Sequence, residues 1–475
     1  MSANRRGFLA GVAASALPWR VLGAPVRARF ADTDPHIPSW DDVPAILGGI
    51  APPIIPARRL RLTEHGAKGD GVFDCSDAFA RAIADLDDTG GGWLIVPAGA
   101  WSTGPIHLKS NINLHVEEGA TIRFKTDPHA FPIVFTRWEG VELMNYSPLV
   151  YAIDCHDIAI TGKGTLDGGA TDEIWWPWKG KAAHGWRAGM AKQDAARNRL
   201  FAMGETGVPV ASRVFGDGSY LRPNFIQPYR CKNVLIEGVT LKRSPMWQVH
   251  PVLCESVIVR GLTIDAAGPN TDGCDPESCR GVLIEDCFFN TGDDCIAIKS
   301  GRNGDGRRIG VASEDIVIRN CTMRNGHGAA TIGSEISGGV HRVFVEKCRM
   351  DSPNLVHALR IKNNAMRGGK LEWLYFRDIA VGQVARAVLS IDETYEEGAN
   401  GPFQPVVSNV FVERVVSGKS AMAVDVQGLA NAPVDGVTLK DCDFANVAGA
   451  SIARNVRGLE FHGVTVNGKP AAAPA

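Results

Sequence analysis

Net charge is close to absent from this chain: 50 Lys and Arg against 52 Asp and Glu leave −2 over 475 residues. With no basic field and with scattered arginines, there is nothing to draw in a phosphate backbone, so nucleic acid is excluded as the natural partner. No apolar run reaches the roughly 20 residues that cross a bilayer, so no membrane anchor is expected. C-x-x-C pairs and H-E-x-x-H are missing, and nothing argues for zinc. The glycine-rich turn Gly66-Ala67-Lys68-Gly69-Asp70-Gly71 has no G-K-S/T behind it, which makes it a structural turn and not a phosphate loop. Glycine itself is plentiful. The 53 glycines are about 11% of the chain against a usual ~7%, a composition that favours turn-rich β structure.

The N-terminus has the layout of an export signal. Arg5-Arg6 precedes Phe8-Leu9, an apolar run extends from Ala10 to Trp19, and Val21-Leu22-Gly23-Ala24 offers small residues for cleavage after Ala24. Paired arginines at this place are similar to a twin-arginine address, which bacteria use for proteins that fold before crossing. The expected location is therefore periplasmic or secreted. The division expected is residues 1–24 as signal, 25–58 as a linker, one domain over 59–467, and an unstructured tail over 468–475.

The body of the chain repeats one nine-residue pattern. Asn233 to Leu241 returns at Ser256 to Ile264 and at Gly281 to Phe289, with further copies beginning at Ile158, Ile316, Val343, Leu374, Val410, Val437 and Leu459. Apolar and polar residues alternate within each copy, the period of a strand with one buried face. Such strands bury that face by stacking along an axis at about 4.8 Å, like residue above like. Coils of 22 residues or more without helical periodicity predict an all-β parallel β-helix. Eight of the eleven cysteines fall into two ladders on this register. Cys155, Cys231, Cys254 and Cys279 lie three residues before an anchor, and Cys287, Cys321, Cys348 and Cys442 lie five after. These are core positions, and the total is odd, so the spacing predicts free stacked thiols. Before the repeats, apolar residues at Ala78, Phe79, Ala82, Ile83 and Leu86 have helix spacing behind Asp77 as cap. A short helix there would cover the solenoid's open end.

Four polar clusters stand out on this frame: Asn270-Thr271-Asp272, Gly292-Asp293-Asp294, Gly326-His327-Gly328 and Arg360-Ile361-Lys362. His327 lies eleven residues after Ile316 and Asp293 eleven after Val282, one shared register. Arg360 lies seventeen after Val343, so a short loop has to be absorbed to align it. Corner-forming Asn, Asp and Gly explain any one cluster. Four in near-register, joining carboxylates, an imidazole and cations, point to a site.

In these four motifs, in this order, and in the opening glycine-rich module, the chain resembles glycoside hydrolase family 28, the polygalacturonase family, from about residue 60 to 467. The resemblance implies a right-handed parallel β-helix with an N-terminal capping helix, acting alone on pectic polysaccharide by inverting hydrolysis without metal or cofactor. It implies Asp293 as general acid, Asp272 and Asp294 as the groups that position and deprotonate water, and His327 as orienter of the acid. Asn270, Arg360, Lys362, Tyr395, His250 and Lys299 are implied at the substrate. Trp247-Gln248-Val249-His250-Pro251 and Asp272-Gly273-Cys274-Asp275 look like the exo-acting branch. An insertion over about 168–224 carries Trp175-Trp176-Pro177-Trp178, aromatics that either stack on sugar rings or, the commoner use, pack the loop onto the solenoid; were the loop to wall off one end of the cleft, attack would be at chain ends. Hydrolysis of rhamnogalacturonan or xylogalacturonan, a calcium-assisted pectate lyase and a non-catalytic carbohydrate-binding solenoid stay open, and a monomer is expected.

Overall fold

Stacking of the repeated pattern builds the molecule residue upon residue. Ile158 pairs with Val234, Val234 with Val257, and the column continues through Val282, Ile316, Val343, Leu374, Val410, Val437 and Leu459, every pair parallel. The residue just before each anchor takes left-handed backbone, from Asp157 and Asn233 through Ser256, Gly281, Asp315, Arg342, Trp373 and Asn409 to Gly436 and Gly458. A second left-handed corner follows four residues after the anchor, at Gly238, Gly261, Asp286, Asn320, Lys347, Asp378, Arg414, Asp441 and Gly463. Two fixed corners per coil make the chain turn in the same place each time, which is why the pattern repeats. Asn, Asp and Gly recur at these corners because they tolerate that conformation best.

The computed structural model describes residues 37–474, with Pro38 onward forming one unit. The export signal over 1–24 lies outside the described residues. The fold is a right-handed parallel β-helix. Two of its faces join in a 25-stranded sheet. The third face, which carries the polar clusters, runs from Ile106–His107 through Val150–Ile153 and Ile226–Tyr229, is bridged at Val249 and Cys274, and continues from Ile296–Ile298 to Ile452–Arg454. The core is one continuous apolar column inside the coils.

Helix α1 spans Val43–Gly49 and α2 spans Ser76–Asp88. The buried side of α2 is Ala78, Phe79, Ala82, Ile83 and Leu86, as the spacing predicts. The helix begins one residue before Asp77, so Asp77 sits in the first turn, where its charge faces the positive helix end, instead of capping it. The stretch read as linker differs too. From Trp40 to Ile50 it lies on the outer sheet, with Val43 and Ile50 buried beside Ile258, Leu283, Phe344 and Tyr375. Those outward apolar side chains break the polar-out alternation, and the N-terminal segment is what covers them. At the other end, Lys469–Pro470 pairs with Thr465–Val466, so part of the expected tail is ordered. The insertion contains α3, Asp194–Glu205, and α4 is Asn303–Ile309. Among the described residues no helix is long and apolar enough to cross a membrane.

Candidate active site

The acidic corner forms where two coils enter the third face. Asp293 and Asp294 precede the strand Ile296–Ile298, so the corner, and not strand alternation, sets their direction, and both project to one side. Gly292 is required there: a Cβ would collide with Gly268 O and with Ala267 at 2.7 Å. One coil on, His327 N donates to Asp293 O at 3.1 Å, which confirms the shared register. Gly328 beside it has no room for a side chain, since a Cβ would meet Asp294 Oδ1 at 2.9 Å and Arg360 Cδ at 3.2 Å. Arg360 pairs with Thr331. Thr331 is fifteen residues after Ile316 and Arg360 seventeen after Val343, so the intervening turn has absorbed two residues. Along that strand Leu359 and Ile361 enter the core while Arg360 and Lys362 point out.

Oxygens of Asp272, Asp293 and Asp294 lie within 4.8 Å of one another. Three such carboxylates do not ionise independently. Burial, then the Asp293 charge, pushes Asp272 well above the usual carboxylate range. Burial acts the same way on Asp294, but Lys362, at 2.6 Å, and Arg360, at 3.4 Å, outweigh it and hold this carboxyl below its usual range. At Asp293 burial is again opposed and overcome, here first by His327, whose Nδ1 is 2.9 Å from Asp293 Oδ1. The same hydrogen bond raises the His327 pKa. The site thus holds one ionised carboxylate under cations, one buried carboxyl that favours its proton, and an Asp–His pair at the opening. His327 is 55% exposed and Asp293 18%, so this pair is what an incoming molecule meets first.

Asn270 donates to Asp293 Oδ2 at 3.4 Å, and its own Oδ1 accepts from the buried Arg222 at 2.9 Å. Tyr395 places its ring 5.6 Å from the Arg360 guanidinium and 5.3 Å from Lys362 Nζ. Lys299 is brought to the site but not to its surface. It is buried over the Trp247 ring at 4.2 Å, with Glu335 at 3.2 Å, Asp272 at 3.7 Å and Asp275 at 3.9 Å, and so acts as counter-charge to the acids. His250 is not brought to the site: it is fully buried, bonded through Nε2 to Glu277 at 2.7 Å and through Nδ1 to Asn224 and Gln227. The expectation that it touches substrate is corrected by what covers it, a hairpin of Ile133–Trp138 and Val141–Tyr146 laid across the third face. Arg137 on that hairpin binds Glu277 at 2.9 Å, and its carbonyl accepts from Asn224 and Gln227.

Sequence reasoning missed this hairpin, the buried counter-ions Arg222 and Glu335, and Asp275, a fully buried carboxyl whose pKa burial and Asp272 push up. Asp275 had a signal, three residues after Asp272. The others sit in long turns with no period. The three carboxylates could ligate a hard cation by geometry. Lys299, Lys362, Arg360 and His327 already supply their positive partners.

Against known proteins, the family model described as Glycosyl hydrolases family 28 matches residues 216–462. A hyperthermoactive exopolygalacturonase from Thermotoga maritima superposes with a TM-score of 0.88 at 47% identity, covering 90% of this chain and 96% of that one. A probable polygalacturonase of Vitis vinifera is 28% identical over 401 residues, 81% of this chain and 74% of the relative. An exo-poly-alpha-D-galacturonosidase of Dickeya chrysanthemi is 25% identical over 357 residues, 71% of this chain and 57% of the relative. Motif order, fold and family match agree: the chain is a glycosidase and belongs to glycosyl hydrolases family 28.

Proposed function

We propose that this enzyme hydrolyses α-1,4-galacturonosidic bonds of polygalacturonate from a chain end, with inversion. The observation that carries the reading is the acidic corner joined to Arg360, which among the described residues donates one hydrogen bond, to Asp294. A guanidinium with free donors is a fork for a sugar carboxylate, so the site selects an acidic sugar. Exo action rests on the similarity to the Thermotoga enzyme and on the meeting of hairpin and insertion, Arg197 of the insertion binding Glu139 of the hairpin.

Asp293, at the opening, protonates the leaving oxygen, drawing on the proton that the Asp293–His327 pair shares; Asn270 and His327 fix its direction. Asp272 and Asp294 hold the water, and Asp294, kept ionised beneath Lys362 and Arg360, takes its proton. One oxygen of each lies within 4.8 Å of an oxygen of Asp293. Low exposure supports inversion. A nucleophilic carboxylate has to approach the anomeric carbon directly, near 3 Å. The Asp272 and Asp294 side chains are 4% and 1% exposed, so a water reaches where they do not. Lys362, in contact with Asp294, chiefly keeps that base ionised, while Arg360 and Tyr395 receive the sugar.

The test is early-turnover NMR of the released anomer together with product chromatography on polygalacturonate, rhamnogalacturonan and xylogalacturonan. Inverted monogalacturonate from polygalacturonate is expected. Net retention overturns the water mechanism, and preference for a decorated polymer overturns the substrate. Unsaturated ends that vanish with chelator would indicate a lyase. We further read residues 1–24 as the export signal of a periplasmic or secreted monomer, with the unit from Pro38 onward as its single catalytic domain. N-terminal sequencing of exported protein, expected to begin after Ala24, checks the first point.

A further inference from the structure

The turn after strand Ala387–Asp392 carries Tyr395 and, next to it, Glu396 in left-handed backbone at φ 51°. A glutamate gains nothing from that conformation, and such a residue persists where its surroundings hold it. Here three arginines from three separate segments hold it. Arg367 reaches Glu396 Oε2 at 2.7 Å, Arg302 reaches the same oxygen at 2.9 Å, and Arg197 on α3 lies 3.9 Å from Oε1. Arg302 also binds Glu335 at 3.0 Å, and its backbone N–H donates to Gly140 O at the hairpin tip at 3.0 Å. Arg197 binds Glu139 on that tip at 2.7 Å. Phe201 of α3 meets both guanidinium groups, 4.5 Å from that of Arg197 and 4.1 Å from that of Arg302.

Hairpin, insertion and the Tyr395 turn are far apart in sequence, and their common meeting point is this cluster. It lies where the hairpin ends its crossing of the third face. An ionic network drawn from α3 and several turns, with Arg302 and Arg367 buried, is a rigid closure, because each charge is held from more than one side. We propose that Glu396 is a specificity-determining residue that locks the hairpin and the insertion against the turn bearing Tyr395, so that the cleft is closed at that end and takes only chain termini. Glu396 also positions Tyr395, its neighbour, over Arg360 and Lys362. This rests on the exo reading above.

The test uses full-length Glu396→Ala and, from the other side of the bridge, Arg197→Gln. Product chromatography on polygalacturonate is combined with kcat and KM on oligogalacturonates of two to six units. Wild type is expected to release single sugars only. Both variants are expected to release oligomers as well, with KM for the shortest substrates raised about tenfold and kcat within about threefold, the split that lost positioning of bound substrate produces. Single-sugar release with unchanged KM in both variants overturns the closure. Oligomer release by wild type from the first turnover overturns the exo reading itself, a different result. If Glu396→Ala does not fold, Arg197→Gln decides alone, because Arg197 is partly exposed on a surface helix.

Discussion

Asp293 and Asp294 are adjacent in sequence, yet their partners separate their roles. Asp294 is beneath two cations and has no reason to carry a proton; Asp293 shares a hydrogen bond with an exposed imidazole. Replacing Asp293 by Asn preserves shape and removes the transferable proton. Hydrolysis should fall by about 10²-fold or more while the melting temperature changes little, as kcat assays and thermal melts will show. Arg360→Lys keeps the charge but loses the fork, so KM for oligogalacturonate should rise about tenfold with a smaller change in kcat. His357 gives a pH prediction. Burial, then Arg360 and Arg386, holds its pKa down at about 3, far below the ordinary 6.5. Between those values the unfolded chain binds a proton that the folded protein does not, so stability falls as pH drops below about 6.5 and stops falling near pH 3. At pH 5 the cost is on the order of 2 kcal/mol. His357→Gln should therefore narrow the gap between melting temperatures at pH 7.5 and pH 5. An unchanged gap would show that the imidazole is protonated in the fold.

At the scale of elements, the repeated strands and α2 were legible, because stacking makes each coil repeat the one before and a helix buries a face with its own period. The acidic corner was legible for the same reason, since Asp293 and His327 fall at corresponding corners, eleven residues after Val282 and Ile316. Arg360 needed the structure, which shows the two absorbed residues. The hairpin, Arg302, Glu335 and Glu396 were not legible: they meet across long turns, and no period relates residue 139 to residue 396. The N-terminal segment was misread for a related reason. Its apolar residues are few, and their partners Phe344, Tyr375 and Phe411 are stacked aromatics on an outer face that normally meets water. Trp40 closes that stack edge-on, 5.3 Å from Phe344. Trp40→Ala should lower stability by about 2 kcal/mol, somewhat under the usual cost for a buried aromatic because Trp40 is half-buried. Activity at 25 °C should be kept, since this face belongs to a different sheet from the acidic corner. Denaturant melts measured beside kcat separate the two effects.

For the whole molecule, the column that aligns the site also aligns the cysteines, and one measurement reads that column. All eleven are unpaired and buried. In the ladders each thiol finds the carbonyl two residues earlier, as Cys155 does with Ile153 at 3.2 Å, Cys254 with Val252 at 3.3 Å, Cys287 with Glu285 at 3.2 Å and Cys442 with Lys440 at 3.3 Å. Cys254 Sγ in turn accepts from Cys231 N at 3.4 Å, one coil away. A thiol satisfied in this way packs as a small apolar residue, and burial pushes the Cys274 and Cys295 thiols away from the reactive thiolate, Cys295 to about 12. Reagent can reach these groups only when coils separate, and separating one coil exposes its neighbours' core. Native protein without reductant should therefore give no fast thiol reaction, and its slow reaction should follow global unfolding across a denaturant series. Fully denatured protein should titrate eleven thiols, and reductant should leave the melting temperature unchanged. A denatured count below eight would mean that disulfides cross the ladders, and several fast-reacting native thiols would mean that the coils open independently.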